Sequence, residues 1–247
     1  MSRSGRAVLA GVALGVVVAG ALAPVRSAAA DEASIYLVHG LAEGSVTVSV
    51  DGDPVTEGLA ATEVAGPFDV AAGERQVTFT TEDGSEVSSS VQLEAGDSSD
   101  VVLHLPATAD GDPVVTEYPN DLSAVQRGRA AVAVAHTAAV PPADIRVDGE
   151  VLFANVANGE YLYEVVPAGS YEVDIVPTGQ TSPAVLGPLE LELTAGALTR
   201  VYAVGDPEDD TMDVASHVIR TGTSGSGRPQ SVDTGRGGLA DRLLDRR

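Results

Sequence analysis

From about residue 33 onward, apolar side chains fall on alternate positions in short runs. Val46, Val48 and Val50 alternate with Thr47 and Ser49, Tyr171, Val173 and Ile175 with Glu172 and Asp174, and Leu189, Leu191 and Leu193 with Glu190 and Glu192. A period of two puts one set of side chains on a buried face and leaves the other in water. The same reading predicts strands at residues 35–38, 68–70, 77–79, 87–93 and 101–105. It predicts further strands at 132–134, 145–147, 151–156, 161–165 and 201–204. Gly, Asp and Pro interrupt the runs at the short intervals typical of all-β sandwiches, and helical periodicity is nearly absent.

The runs repeat. A-S-I-Y-L-V-H-G from Ala33 leads to S-V-D-G, and A-A-V-A-V-A-H-T from Ala130 leads to R-V-D-G. His39 and His136 are 97 positions apart, as are Asp51 and Asp148; A-A-G and P-A-G are 96 apart, and L-E-A-G and L-T-A-G are 100 apart. An offset that holds along strands and drifts in loops is the mark of a duplicated module. The fold expected is all-β: two tandem immunoglobulin-like (prealbumin-like) antiparallel β-sandwiches of six or seven strands each, with a disordered C-terminal tail. The boundaries predicted are a signal peptide over 1–30, a first module over 31–107, a polar linker over 108–128, a second module over 129–219 and the tail over 220–247. Asp51-Gly52 and Asp148-Gly149 are expected to make tight turns, since Gly accepts positive φ and Asp caps the turn with its side chain.

The ends set the compartment. Arg3 and Arg6 precede an apolar and glycine-rich run over 7–23, broken by Pro24 and followed by Ala28-Ala29-Ala30. That is the layout of a secretory signal; a retained anchor is the other reading of a run this long. The protein is expected to be secreted, extracellular or associated with the cell envelope, with no membrane span once the signal is removed. There is no cysteine, so disulfides, thiolate nucleophiles and cysteine metal sites are excluded. Residues 31–219 carry 33 acidic side chains against five arginines, a net of −28, while 220–247 carry six arginines and three aspartates. A body this acidic repels nucleic acid, which is excluded as a partner.

Candidate chemistry is sparse. His39 and His136 hold one slot in the two modules and are read, with Asp51, Asp148, Gly52 and Gly149, as repeat-equivalent structural residues whose imidazoles satisfy loop backbone. Asp-Gly-Asp-Pro occurs twice, and G-D-P-E-D-D over 205–210 is a denser acidic loop; calcium is the one ion such oxygen clusters suggest, without the spacing of a calcium loop. Gly96-Asp97-Ser98 looks like the start of some hydrolases but sits at an expected turn. No catalytic, cofactor-binding or metal residue is assigned, and no cofactor is expected. His136, Asp144, Tyr161 and Tyr163 are the candidate interaction surface, for an unidentified extracellular protein or wall polymer.

The strand ending in His, the strand ending in V-D-G, A-G-x-Y-x-V and L-x-A-G-x-x-x-x-V-Y-A-V-G together resemble the secreted bacterial domain of unknown function 4397, usually found in tandem. The P-A-G-S-Y-E-V-D-I segment is also similar to prealbumin-like and carboxypeptidase-regulatory-like sandwiches. The resemblance implies a fold and an extracellular address, and no activity. The function expected is a non-catalytic secreted or cell-envelope interaction or structural module, not an enzyme. The alternatives are a calcium-stabilised extracellular spacer and, third, a secreted hydrolase.

Overall fold

The structure is a computed structural model that describes residues 31–108 and 110–224. The expected signal segment, and the expected tail beyond 224, lie outside the described residues.

The described chain is all-β. The first half runs through β1 (Glu32–Gly40), β2 (Ser45–Val50), β3 (Asp53–Ala60), β4 (Val64–Ala71), β5 (Gly73–Thr81), β6 (Glu86–Leu93), β7 (Ser98–His104) and β8 (Val114–Pro119). A short β9 (Val125–Gln126) follows. The second half runs through β10 (Arg129–His136), β11 (Ala143–Val147), β12 (Glu150–Val156), β13 (Tyr161–Pro167), β14 (Gly169–Pro177), β15 (Leu186–Leu193), β16 (Ala197–Val204) and β17 (Asp213–Arg220), and ends at β18 (Thr223–Ser224).

Strand order is the same in both halves. The first has sheets β4-β1-β7-β8 and β3-β2-β5-β6, and the second has β13-β10-β16-β17 and β12-β11-β14-β15. Each pair of sheets faces across its own apolar core. Ile35, Leu37, Val48, Val77, Phe79 and Leu103 fill the first; Val132, Val134, Ile145, Phe153, Ile175 and Val201 line the second. The period-two pattern predicts this directly for β2, whose residues alternate between half-buried and buried along its whole length.

Three expectations change. The sheets are not wholly antiparallel, because β1 pairs parallel with β7 and β10 pairs parallel with β16. The stretch read as a linker over 108–128 contains β8, which pairs antiparallel with β7 and buries Tyr118. Its polar and Pro-rich flanks hide a strand that is the counterpart of β17. The stretch read as tail includes Arg220, the last residue of β17, and β18, which pairs parallel with β9.

The two hairpins expected at Asp-Gly are present and alike. Asp51 and Gly52 have φ of 53° and 88°, and Asp148 and Gly149 have 51° and 82°. Two positive φ values in a two-residue loop define the turn whose twist matches the flanking strands. Each aspartate also ties its turn to the next strand. Asp51 Oδ1 accepts from Gln76 N at 2.9 Å while its own N donates to Gln76 O at 2.8 Å. Asp148 does the same with Glu172 at 3.0 and 2.8 Å. Nothing crowds either glycine, so only its backbone conformation is at stake. Gly52→Ala and Gly149→Ala are each expected to cost about 1–2 kcal/mol, with equal losses in the two halves, read as matched drops in thermal midpoint.

Candidate functional site: a buried polar junction between the two halves

Strands β7 and β16 are buried along their entire length, on both faces. One face of each points into its own core. The other meets the opposite half, where Val38, Val102, Tyr118, Ala135, Tyr202, Val204 and Ala215 form a third apolar cluster, joined by Val64 and Tyr161. The outer face of β10 is made of alanines. Ala131 and Ala133 lie under Val125 of β9, and Ala135 lies against the first half. Small side chains there let the neighbouring layers approach closely.

Inside this cluster sit two charges. Asp100, on β7, is 0% exposed and Arg200, on β16, is 1% exposed. Asp100 Oδ2 accepts from Tyr202 Oη at 2.5 Å and from His217 Nε2 at 2.5 Å, and Oδ1 accepts from Asn120 Nδ2 at 2.6 Å. Arg200 Nε donates to Asn120 Oδ1 at 2.6 Å, and its Nη2 donates to Pro119 O at 2.5 Å. The guanidinium lies 3.9 Å from Asp100 Oδ2 and over the Tyr161 ring, 5.1 Å from its centroid. Asn120 therefore bridges the pair, accepting from one charge and donating to the other. Tyr36 stacks obliquely on His217 with centroids 4.5 Å apart, and Tyr118 packs against Tyr161 and Tyr202.

A buried charge is tolerated when it is paired and its remaining sites are hydrogen-bonded. Both conditions are met here, by residues from both halves. Burial raises the Tyr202 hydroxyl above its ordinary range, and the Asp100 charge raises it further, so Tyr202 stays protonated and donates. The same two causes act in the same order on Tyr36. The arrangement holds two facing-sheet units in one fixed relation.

The register assigns Asp100 and Arg200 to one structural position. Leu37 pairs with Val101 in the first half and Val134 with Val201 in the second, so the residue before each valine is equivalent: Asp100 in one, Arg200 in the other. By the neighbouring ladders, Tyr118 corresponds to His217. Equivalent sheets thus face each other with opposite charges at one shared site.

The residues singled out from sequence are placed differently. His136 is 4% exposed, with Nε2 3.4 Å from Pro141 O; Asp144 is 5% exposed, and its carboxylate accepts from Asn155 N and Gly179 N, both at 2.8 Å. Those two amides, Gly179 first, hold the Asp144 carboxyl below the usual range. Tyr161 belongs to the junction, and Tyr163 is half-buried against Val125, Ala131, Ala133 and Leu198. His136 and Asp144 therefore brace loop backbone, and the four residues do not make one exposed face. Tyr161 is half-buried by the packing of the halves and Asp144 is buried by loops of its own half, neither of which alternation within single strands can reveal. His39 Nδ1 donates to Leu59 O at 3.0 Å, so each repeat-equivalent histidine meets a backbone carbonyl, through a different nitrogen. Ser98 of the Gly-Asp-Ser motif is buried in β7, and its hydroxyl accepts from Asn120 Nδ2 at 3.2 Å.

Sequence reasoning missed Asp100, Asn120, Arg200, Tyr202 and His217. One signal was available. The offset of 100 that aligns L-E-A-G with L-T-A-G also aligns Asp100 with Arg200, each directly before an apolar run.

With this geometry in view, the chain can be set beside known proteins. Residues 33–143 match the family model of the domain of unknown function DUF4397, which shows the resemblance. The match covers the first half, β8, β9 and β10 and ends at Ala143, the first residue of β11. No curated protein matches. Among solved structures, a "putative cell adhesion protein" from Bacteroides uniformis aligns at 8% identity over 77% of this chain and 99% of its own, with a TM-score of 0.26, too distant a likeness to define the fold.

Two outcomes are expected. Removing one partner of the buried pair, by Asp100→Asn or Arg200→Met, should cost about 3–5 kcal/mol in denaturant unfolding. The double variant should cost less than the sum of the two, because neither charge is then stranded. The second outcome concerns pH. Burial depresses His39, His104 and His136 below the ordinary histidine range, so each is neutral when folded and takes up a proton on unfolding. The unfolded chain binds more protons below about pH 6.5, so the stability these groups contribute is present above that pH and is lost as pH falls through it toward the depressed folded values. The melting temperature should fall between pH 7.5 and 5.5, and less steeply in a His39→Gln/His104→Gln/His136→Gln variant.

Proposed function

We propose that the chain is a pair of tandem immunoglobulin-like, prealbumin-like modules serving as a non-catalytic secreted or cell-envelope interaction or structural protein. The observation that carries this reading is the junction itself. Two units of like strand order are joined by a buried, hydrogen-bonded charge pair. Such a joint fixes the distance and angle between the outward sheets β3-β2-β5-β6 and β12-β11-β14-β15. A partner reading both at once would meet a constant spacing.

The outward sheets differ in chemistry. The first is rich in hydroxyls, with Thr78 and Ser88 bonded across strands at 2.9 Å and Ser45 donating to Glu82 at 2.8 Å. The second carries the Arg146–Asp174 ion pair beside Glu172, Glu190 and Glu192. Hydroxyl-lined and acidic faces suit an extracellular protein or a wall polymer as partner. The resemblance to DUF4397 supports the same reading of a non-catalytic module.

Fractionation of the producing cell tests the address. The protein is expected in the medium or the envelope fraction, and crosslinking on intact cells is expected to recover an envelope component. Recovery in the cytoplasm, with no envelope component captured, would overturn the reading. Asp100→Asn should reduce capture even where the folded fraction is matched, because the two faces then lose their fixed spacing.

A further inference from the structure

The two halves share a strand plan but do not fill it equally. Paired through the ladders, Ile35 corresponds to Val132, Leu37 to Val134, Phe79 to Ile175 and Leu103 to Ala203. At each of these positions the second half has the smaller side chain. Part of the volume is restored by Phe153, at the position of Thr56, and by Leu191, at the position of Val91. The rest is not. Val77 and Val91 are sealed, whereas Val173 and Leu191 at the matching sites remain partly exposed.

The consequence is two apolar cavities between the sheets of the second half. One, of about 260 Å³, has Val132, Tyr171 and Leu193 in its wall, and its rim is formed by Glu150, Val151 and Leu152 of edge strand β12 with Pro167 of β13. The other, of about 230 Å³, has Ile175 and Ala203 in its wall, and Leu189, Glu190 and Ser216 of edge strands β15 and β17 lie at its rim. Val134, Val173, Leu191 and Val201 line both. The cavities therefore reach toward opposite edges of the same pair of sheets and adjoin at a partition of four aliphatic side chains. Val151 is 52% exposed and Leu189 42% exposed at the rims. An apolar cavity of about 150 Å³ is already large enough to take up a benzene ring.

We propose that the second half binds the hydrocarbon chain of a single-chain amphiphile with a cationic head, the chain lying between the sheets and the head at an acidic rim. The lining decides the chain: it is almost entirely Val, Ile and Leu, and the one aromatic hydroxyl among the lining residues, that of Tyr171, already donates to Pro167 O at 2.7 Å near the surface. A flexible aliphatic chain needs no polar partner and can thread past aliphatic side chains. The rims decide the head. Each carries a glutamate, Glu150 at one and Glu190 at the other, on a protein of strongly negative charge. A carboxylate head would be repelled there, and an ammonium head attracted. Glu190 borders the second rim from the outer face of edge strand β15, beside Asp174, which is already paired with Arg146 and adds little.

The inference is independent of the envelope reading, since it rests on the interior of one half. The test is calorimetric titration of the protein with dodecylammonium below its micellar concentration, with dodecanoate and butylammonium as comparisons. Dodecylammonium is expected to bind, and both comparisons to bind at least about tenfold more weakly. Ala203→Leu and Val134→Leu, which install the first half's residues, are expected to abolish binding with the melting temperature held or raised. Glu150→Gln/Glu190→Gln is expected to weaken dodecylammonium and not dodecanoate. The proposal is overturned if the unaltered protein takes up no dodecylammonium, if both filling variants bind it as before, or if dodecanoate binds equally well. Should either filling variant fail to fold, Glu150→Gln/Glu190→Gln, which leaves the core untouched, decides: weaker dodecylammonium binding supports the proposal, and unchanged binding overturns it.

Discussion

A carboxylate and a guanidinium removed completely from water organise this molecule. Asp100 and Arg200 are each expensive to bury, and each is made tolerable by groups that belong to the other half or to the segment between them. Tyr202 and His217 reach across to Asp100, Pro119 and Asn120 reach across to Arg200, and Asn120 serves both. Hydrophobic area alone could press two sheets together in many relative positions, because it is non-directional. Hydrogen bonds to two fixed charges select one of them. Everything further out, including the fixed relation of the two outward sheets, follows from that choice.

The layers on either side of the charges are built to allow it. β10 presents alanines outward, so linker and first half can come close; β8 supplies Tyr118 and leads directly into Pro119 and Asn120. The segment between the halves is thus part of the joint. The stretch after β17 returns to the same segment, with β18 pairing alongside β9.

Much of this was legible in the chain and some was not, for physical reasons. The alternation in β2, β14 and β15 encodes which face is wet, because those strands have water on one side. The Asp-Gly turns were legible because positive φ at two successive residues leaves few residue choices. β8 was hidden: an edge strand with polar flanks needs only one buried aromatic to hold it. β7 and β16 were read as strands, but their segments 101–103 and 201–204 are apolar at every position, which also means burial on both faces, and that second meaning was not drawn. The histidine slot was readable as a shared structural position, whereas the burial of His136 and Asp144 depends on loops folding over them. Asp100 and Arg200 look like ordinary surface charges until the offset of 100 places them at one position.

That shared position has a consequence for self-association. If the first half met a second copy of itself through the same sheet, carboxylate would face carboxylate; if the second half did so, guanidinium would face guanidinium. Only the unlike combination cancels. The joint therefore discriminates by electrostatic parity: it admits the first half with the second and rejects either with its own duplicate, which keeps neighbouring copies of the chain from exchanging halves in matched pairs.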